Sequence, residues 1–135
     1  MTEGLMANIP GDLRYTREHE WAKKDGANVR VGITHFAQEQ LGDVVFVELP
    51  KAGARVTSHQ SFGVVESVKA VSDLFAPLTG EVVEVNAELP KAPELVNRDP
   101  YGKGWMIVLK PANPGEWEQL LSAEQYEEHI AQAGH

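Results

Sequence analysis

Lys69 is the residue of this chain whose neighbours and position point most directly to chemistry. It stands in Glu66-Ser67-Val68-Lys69-Ala70, at the joint between two similar halves. Gly42-Asp43-Val44-Val45-Phe46-Val47 is echoed by Gly80-Glu81-Val82-Val83-Glu84-Val85. Glu48-Leu49-Pro50-Lys51-Ala52 recurs as Glu88-Leu89-Pro90-Lys91-Ala92, the second copy carrying two extra residues. Two copies are too few for a solenoid, which needs at least about three. A closed, pseudo-symmetric β unit with the lysine turn between its halves fits better. Lysine in a turn is usually a solubilising charge, and pattern alone favours that reading. Two features favour another. Lys69 divides the repeat, and the chain has no nucleophile motif, metal site or phosphate loop of its own. Such a scaffold often presents chemistry borrowed from a cofactor.

The other reactive side chains give weaker signals. His19, His35, His59, His129 and His135 share no i, i+4 spacing and no HExxH pattern, so no metal site is expected. No Gly-x-Ser-x-Gly elbow, Walker loop or dinucleotide fingerprint occurs, and no catalytic residue is assigned. Tyr101-Gly102-Lys103-Gly104 reads as a turn entering the last strand. Glu116, Glu118, Glu124, Glu127 and Glu128 read as solvated faces of C-terminal helices. Glu18 and Glu20 flank His19; in a strand the two acids would share one face and the imidazole would take the other. Cysteine is absent, which excludes disulfides, thiolate metal sites and cysteine nucleophiles.

A net charge of −8 opposes binding to nucleic acid or to an anionic membrane. No apolar run approaches the roughly 18 residues of a membrane helix. The start shows no secretory or transit signal, so a cytoplasmic protein is expected. The length of 135 residues suits one domain with a modest core.

These candidates need elements to hold them. Residues 1–12 read as a flexible tail, and residues 13–135 as one domain with C-terminal helices at about 114–132. Asp25-Gly26 between His19–Lys24 and Asn28–Ile33 signals a hairpin. Thr34 can cap a short helix through Leu41, with Gly42 as its left-handed exit. Val44–Leu49, Phe62–Ser67, Val71–Ala76, Gly80–Asn86 and Gly104–Lys110 read as short strands of a small barrel or sandwich. Asn113-Pro114 opens a helical segment, and Ser122 with Gln125 forms a capping box for a second.

The chain resembles the H proteins of the glycine cleavage system. The resemblance rests on Tyr15-Thr16-Arg17-Glu18-His19-Glu20-Trp21, Val31-Gly32-Ile33-Thr34, Ala37-Gln38 and Leu41 to Pro50. It continues through Glu66 to Ala70 with Ser72-Asp73, Gly80-Glu81-Val82, Glu94-Leu95-Val96-Asn97, Pro100-Tyr101 and Gly104-Trp105. These motifs run in order over residues 13 to 127. One departure is His35-Phe36 before Ala37-Gln38, where the family usually has an acidic residue and then histidine.

The resemblance implies a mainly β fold, a lipoyl/biotinyl-like barrel-sandwich hybrid with a short internal helix and a C-terminal helical extension. It implies lipoate joined by an amide to Lys69, with Glu66, Ser67, Val68 and Ala70 completing the lipoylation motif. It implies a non-catalytic carrier with a swinging arm. The arm would receive an aminomethyl group at the pyridoxal-phosphate glycine decarboxylase (P protein). It would deliver the group to the aminomethyltransferase (T protein) and be reoxidised by dihydrolipoyl dehydrogenase (L protein). A lipoate ligase or lipoyltransferase would install it. By the same resemblance, Glu20 and Asp73 would line a cleft where the loaded arm rests. Rivals are a lipoate relay protein, a lipoyl carrier of another multienzyme complex, and an interaction domain with unmodified Lys69. Biotin is disfavoured because Val68 and Ala70, not methionines, flank the lysine.

Overall fold

The computed structural model describes residues 8–133. Nine strands form two sheets: β1 (Arg14–Tyr15), β2 (Glu20–Asp25), β3 (Asn28–Ile33), β4 (Val44–Glu48), β5 (Arg55–Val56), β6 (Ser61–Ser67), β7 (Val71–Phe75), β8 (Gly80–Val85) and β9 (Ile107–Pro111). The larger sheet runs β1-β2-β3-β9-β8-β5 and the smaller β4-β6-β7. The repeat is thereby divided: β4 of the first copy and β8 of the second lie in different sheets. Between them in the chain comes the β6–β7 hairpin.

Alternation explains how the sheets meet. Val29, Val31, Val47, Val65, Leu74, Val82 and Leu109 are buried in one core cluster. At about 25 cal/mol per Å² of apolar surface removed from water, this burial is the main stabilising contribution. A second cluster of Ile9, Leu13, Tyr15, Trp21, Tyr126 and Ile130 joins the first strands to the C-terminal helix. Gly32 belongs where it is because Trp21 lies across it: an added Cβ would stand 2.7 Å from the indole.

The hairpin expected at Asp25-Gly26 is present, with Asp25 paired to Asn28 and Gly26 at φ 66°. The first helix, α1 (His35–Leu41), begins at Thr34, whose hydroxyl accepts from the Ala37 amide at 3.1 Å. It ends at Gly42, φ 77°, whose amide donates to Gln38 O. A short α2 (Leu95–Arg98) follows β8, with no side-chain cap in the sequence to announce it.

The C-terminal segment divides near Ser122 as expected. Its first part, Pro114–Gln119, is a 3-10 helix. Glu116 there is not simply solvated: its carboxylate accepts from the Thr79 amide at 2.7 Å and hydroxyl at 3.0 Å. The second part, α3 (Ala123–Ala133), starts with the capping box: the Gln125 amide donates to Ser122 Oγ and the Ser122 amide to Gln125 Oε1.

Three expectations need correction. The last strand starts at Ile107 and not Gly104, because the Gly104 and Trp105 amides are held in a turn by Asp99 O and Gly102 O. The tail of residues 1–12 does not reach residue 12: Ile9 is buried and Tyr101 O–H donates to Asn8 O at 2.6 Å, while residues 1–7 lie outside the described residues. His19 is not a strand residue. It sits at φ 76° in a turn closed by Thr16, and the strand begins only at Glu20.

Candidate functional site

Lys69 lies in the turn joining β6 to β7, where Glu66 pairs with Val71. The turn is closed by the Ser67 amide donating to Ala70 O at 2.8 Å. Ser67 Oγ accepts from the Lys69 and Ala70 amides at 3.3 and 3.1 Å. Serine suits this position because its short side chain can bond the backbone two and three residues on. Lys69 is on the outside of this turn and exposed.

The turn is fastened to the rest of the protein by its own backbone. The Val68 amide donates to Asp43 O at 3.0 Å. The segment carrying that carbonyl is pinned by Asn97. Its side chain accepts from the Val44 amide at 2.8 Å and donates to Gly42 O at 2.8 Å and Gln38 Oε1 at 2.9 Å. Asn97 thus connects α2 to the exit of α1 and, through Asp43, to the lysine turn. The sequence placed Asn97 in one of the matching motifs, Glu94-Leu95-Val96-Asn97, but nothing local marked this role.

Lys69 leans over Gly42, where a Cβ would come within 3.5 Å of Lys69 Cε. The preceding residues, Gln40 and Leu41, line a cleft of about 440 Å³. The same cleft is lined by Glu18, His19, Glu20, Phe36, Ser72 and Asp73. Glu20 and Asp73, distant in sequence, are therefore brought together. Their side chains are placed differently, however.

Glu20 is only 1% exposed and lies at the base of the cleft. Thr16 O–H donates to Oε1 at 2.6 Å, and the Phe75 amide to Oε2 at 3.1 Å. Burial pushes the carboxyl up to about 7, and the nearby Glu18 adds to the rise; the Thr16 and Phe75 bonds oppose it. Asp73 lies on edge strand β7, paired with Val64, and its Oδ1 is 3.4 Å from Ser61 Oγ on the exposed side. Ser72 pairs with Val65 and shares the face of buried Leu74. Ser72 is thus the β7 polar side chain turned toward the cleft.

His19 also lines the cleft, because its left-handed turn prevents the strand alternation that would have turned it away from Glu20. Its Nδ1 is 2.9 Å from Tyr126 Oη, which is also 2.7 Å from the Thr34 hydroxyl. One tyrosine of α3 therefore holds both the cap of α1 and the cleft imidazole. Burial, then His129, pushes His19 down to about 4. Phe36 packs against His19, with ring centroids 4.8 Å apart.

A lysine displayed on a braced hairpin, beside a cleft with an acidic base, defines a carrier scaffold for a covalent arm. The comparisons with known proteins agree. The glycine cleavage H-protein family matches residues 13–133. The glycine cleavage system H protein of Bacillus pumilus is 60% identical over 121 residues, covering 90% of this chain and 95% of that protein. That of Carboxydothermus hydrogenoformans is 56% identical over 129 residues, covering 96% and 99%. The crystal structure of a glycine cleavage system H protein from Mycobacterium marinum superposes with a TM-score of 0.82 at 46% identity, covering 94% of this chain and 100% of that one. The chain belongs to the glycine cleavage H-protein family. It is the lipoyl carrier of the glycine cleavage system, a non-catalytic subunit that moves the aminomethyl group of glycine between enzymes.

Proposed function

We propose that Lys69 is the residue that carries the lipoyl group, and that the loaded arm rests in the cleft above Glu20. The observation that carries this reading is the lean of Lys69 over Gly42, at the end of a cleft lined by Gln40 and Leu41. The lipoyl group supplies dithiolane chemistry, accepting the aminomethyl group and later being reoxidised.

The protein's own residues do the rest. The turn of Glu66, Ser67, Val68 and Ala70 presents one lysine in a fixed geometry to a lipoate ligase or lipoyltransferase. Glu66 gives that enzyme a charge to recognise, a feature that chiefly sets specificity and on-rate. Glu20, buried at the base of the cleft, offers the ammonium of the loaded arm a carboxylate partner. Asp73 at the rim adds negative potential. Residues of the cleft wall, including Leu41 and Phe36, suit the methylene chain of the arm.

The partners are the P, T and L proteins, and the place of action is the cytoplasm. Glycine–bicarbonate exchange with the decarboxylase tests the reading. The lipoylated protein should support exchange and a Lys69→Arg protein should not. Exchange by the Lys69→Arg protein would refute the assignment.

A further inference from the structure

His19 brings an unpaired nitrogen to the cleft. Its ring is packed by Phe36, Tyr126 and His129, with centroids 4.8, 5.7 and 5.7 Å away. Nδ1 is 2.9 Å from Tyr126 Oη, whereas Nε2 bonds nothing among the described residues. Nε2 is not sealed in: among the described residues the buried side-chain polar atom left without a partner is Arg30 Nε. With Phe36, Tyr126 and His129 around the ring, Nε2 opens toward the cleft that His19 lines beside Glu20.

The hydrogen bonds behind the ring decide what that nitrogen carries. Thr34 is fully buried, and its hydroxyl oxygen accepts from the Ala37 amide at 3.1 Å. The hydroxyl has one further partner, Tyr126 Oη at 2.7 Å, so its proton goes there. Tyr126 O–H then donates to His19 Nδ1. A neutral imidazole has one donor and one acceptor nitrogen. With Nδ1 accepting, the proton sits on Nε2. Burial first, and then the nearby His129, push the ring down to about 4, so it is neutral at neutral pH. Tyr126 is itself fixed by stacking on Tyr15, with centroids 4.7 Å apart and planes 8° from parallel. The cleft thus holds two unlike groups, a carboxyl that accepts once ionised and an imidazole N–H that donates.

We propose that His19 binds the sulfur end of the loaded arm through Nε2–H, and that Tyr126 is the residue that positions it for this. The inference deepens, and rests on, the reading that the loaded arm lies in this cleft. The far end of that arm carries two kinds of polar group. Its ammonium can only donate, which suits Glu20. Its sulfurs are weak acceptors, which suits Nε2–H. A charged His19 would repel the ammonium, and the opposite tautomer would compete with Glu20 for it. The relay from Thr34 through Tyr126 excludes that tautomer, so ammonium and sulfur each have one place. The left-handed turn at His19, φ 76°, is what puts the ring in the same cleft as Glu20.

Nitrogen NMR spectra of the full-length protein read the tautomer before any arm is attached. At neutral pH the unlipoylated wild type should carry the His19 proton on Nε2, and Tyr126→Phe should mix the two tautomers. A proton on Nδ1 in the wild type would overturn the relay. Aminomethyl loading of the lipoylated protein should move the Nε2–H resonance downfield, as a new hydrogen bond does. An unmoved resonance, in a sample whose intact mass shows the load, would overturn the sulfur contact. His19→Gly keeps the left-handed turn and removes the ring. It should release ammonia and formaldehyde about fivefold faster, the loss of one modest hydrogen bond. Tyr126→Phe should act in the same direction and less. Glu20→Gln in the same assay separates the two readings. Faster release from Glu20→Gln with wild-type release from His19→Gly keeps the cleft and overturns the role of His19. Wild-type release from both variants removes the cleft itself, and this role with it.

Discussion

The Phe75 amide donates to Glu20 Oε2 across 3.1 Å, so one buried carboxylate ties the edge of the small sheet to the second strand of the large one. The pair is 55 residues apart in sequence. The acid at the base of the cleft is also the link between its two walls.

This makes Glu20 a source of pH-dependent stability. Folding raises its carboxyl from the ordinary 4.5 to about 7, chiefly through burial. A raised acid is held protonated more tightly in the folded state. Its contribution is complete below about pH 4.5 and is lost as pH climbs through about 7. Between about pH 4.5 and 7.5 the wild-type protein should lose roughly 3 kcal/mol more stability than Glu20→Gln. His19 titrates in both proteins and cancels in the comparison. Urea unfolding of both proteins across this range measures the difference; parallel curves would contradict the burial cost assigned to Glu20.

The loaded arm gives a second test, in which β7 alternation decides between neighbours. Ammonia and formaldehyde release from the aminomethyl-loaded protein should quicken most in Glu20→Gln. Ser72→Ala should have a smaller effect, and Asp73→Asn should act mainly through charge, diminishing at high salt. Equal release rates in the wild type and all three variants would remove the cleft as the arm's resting place.

Asn97 should matter to a turn that it does not touch. Asn97→Ala removes the bonds to Val44, Gly42 and Gln38, and should cost about 1–3 kcal/mol. Hydrogen exchange of the Val68 amide, bonded to Asp43 O, should accelerate beyond the global loss of stability. Exchange that changes only in step with global stability would show that the turn holds itself.

What was legible in the sequence was local. Thr34 and Gly42 bound α1, Ser122 and Gln125 cap α3, and the Asp25-Gly26 hairpin forms where turn chemistry requires it. Each signal acts within a few residues. The fold class and the carrier role followed from colinear motifs. The cleft was legible only in part. Glu20 and Asp73 both line it, but the burial of Glu20 depends on Thr16 and Phe75 together. The direction of Asp73 depends on its register with Val64. The place of His19 in the cleft was not legible, because a left-handed turn at a residue other than glycine is uncommon and carries no local marker here. Asn97 acts across 53 residues to Val44, beyond any local pattern.

The central claim is that Lys69 alone carries the arm. Intact mass and peptide mapping, after expression in a host competent for lipoate attachment, test it most directly. The wild-type protein should gain the mass of one lipoyl group, on the peptide containing Lys69. Lys69→Arg should fold with an unchanged far-ultraviolet spectrum and gain none. A lipoyl group on any other lysine, or on the Lys69→Arg protein, would contradict the claim.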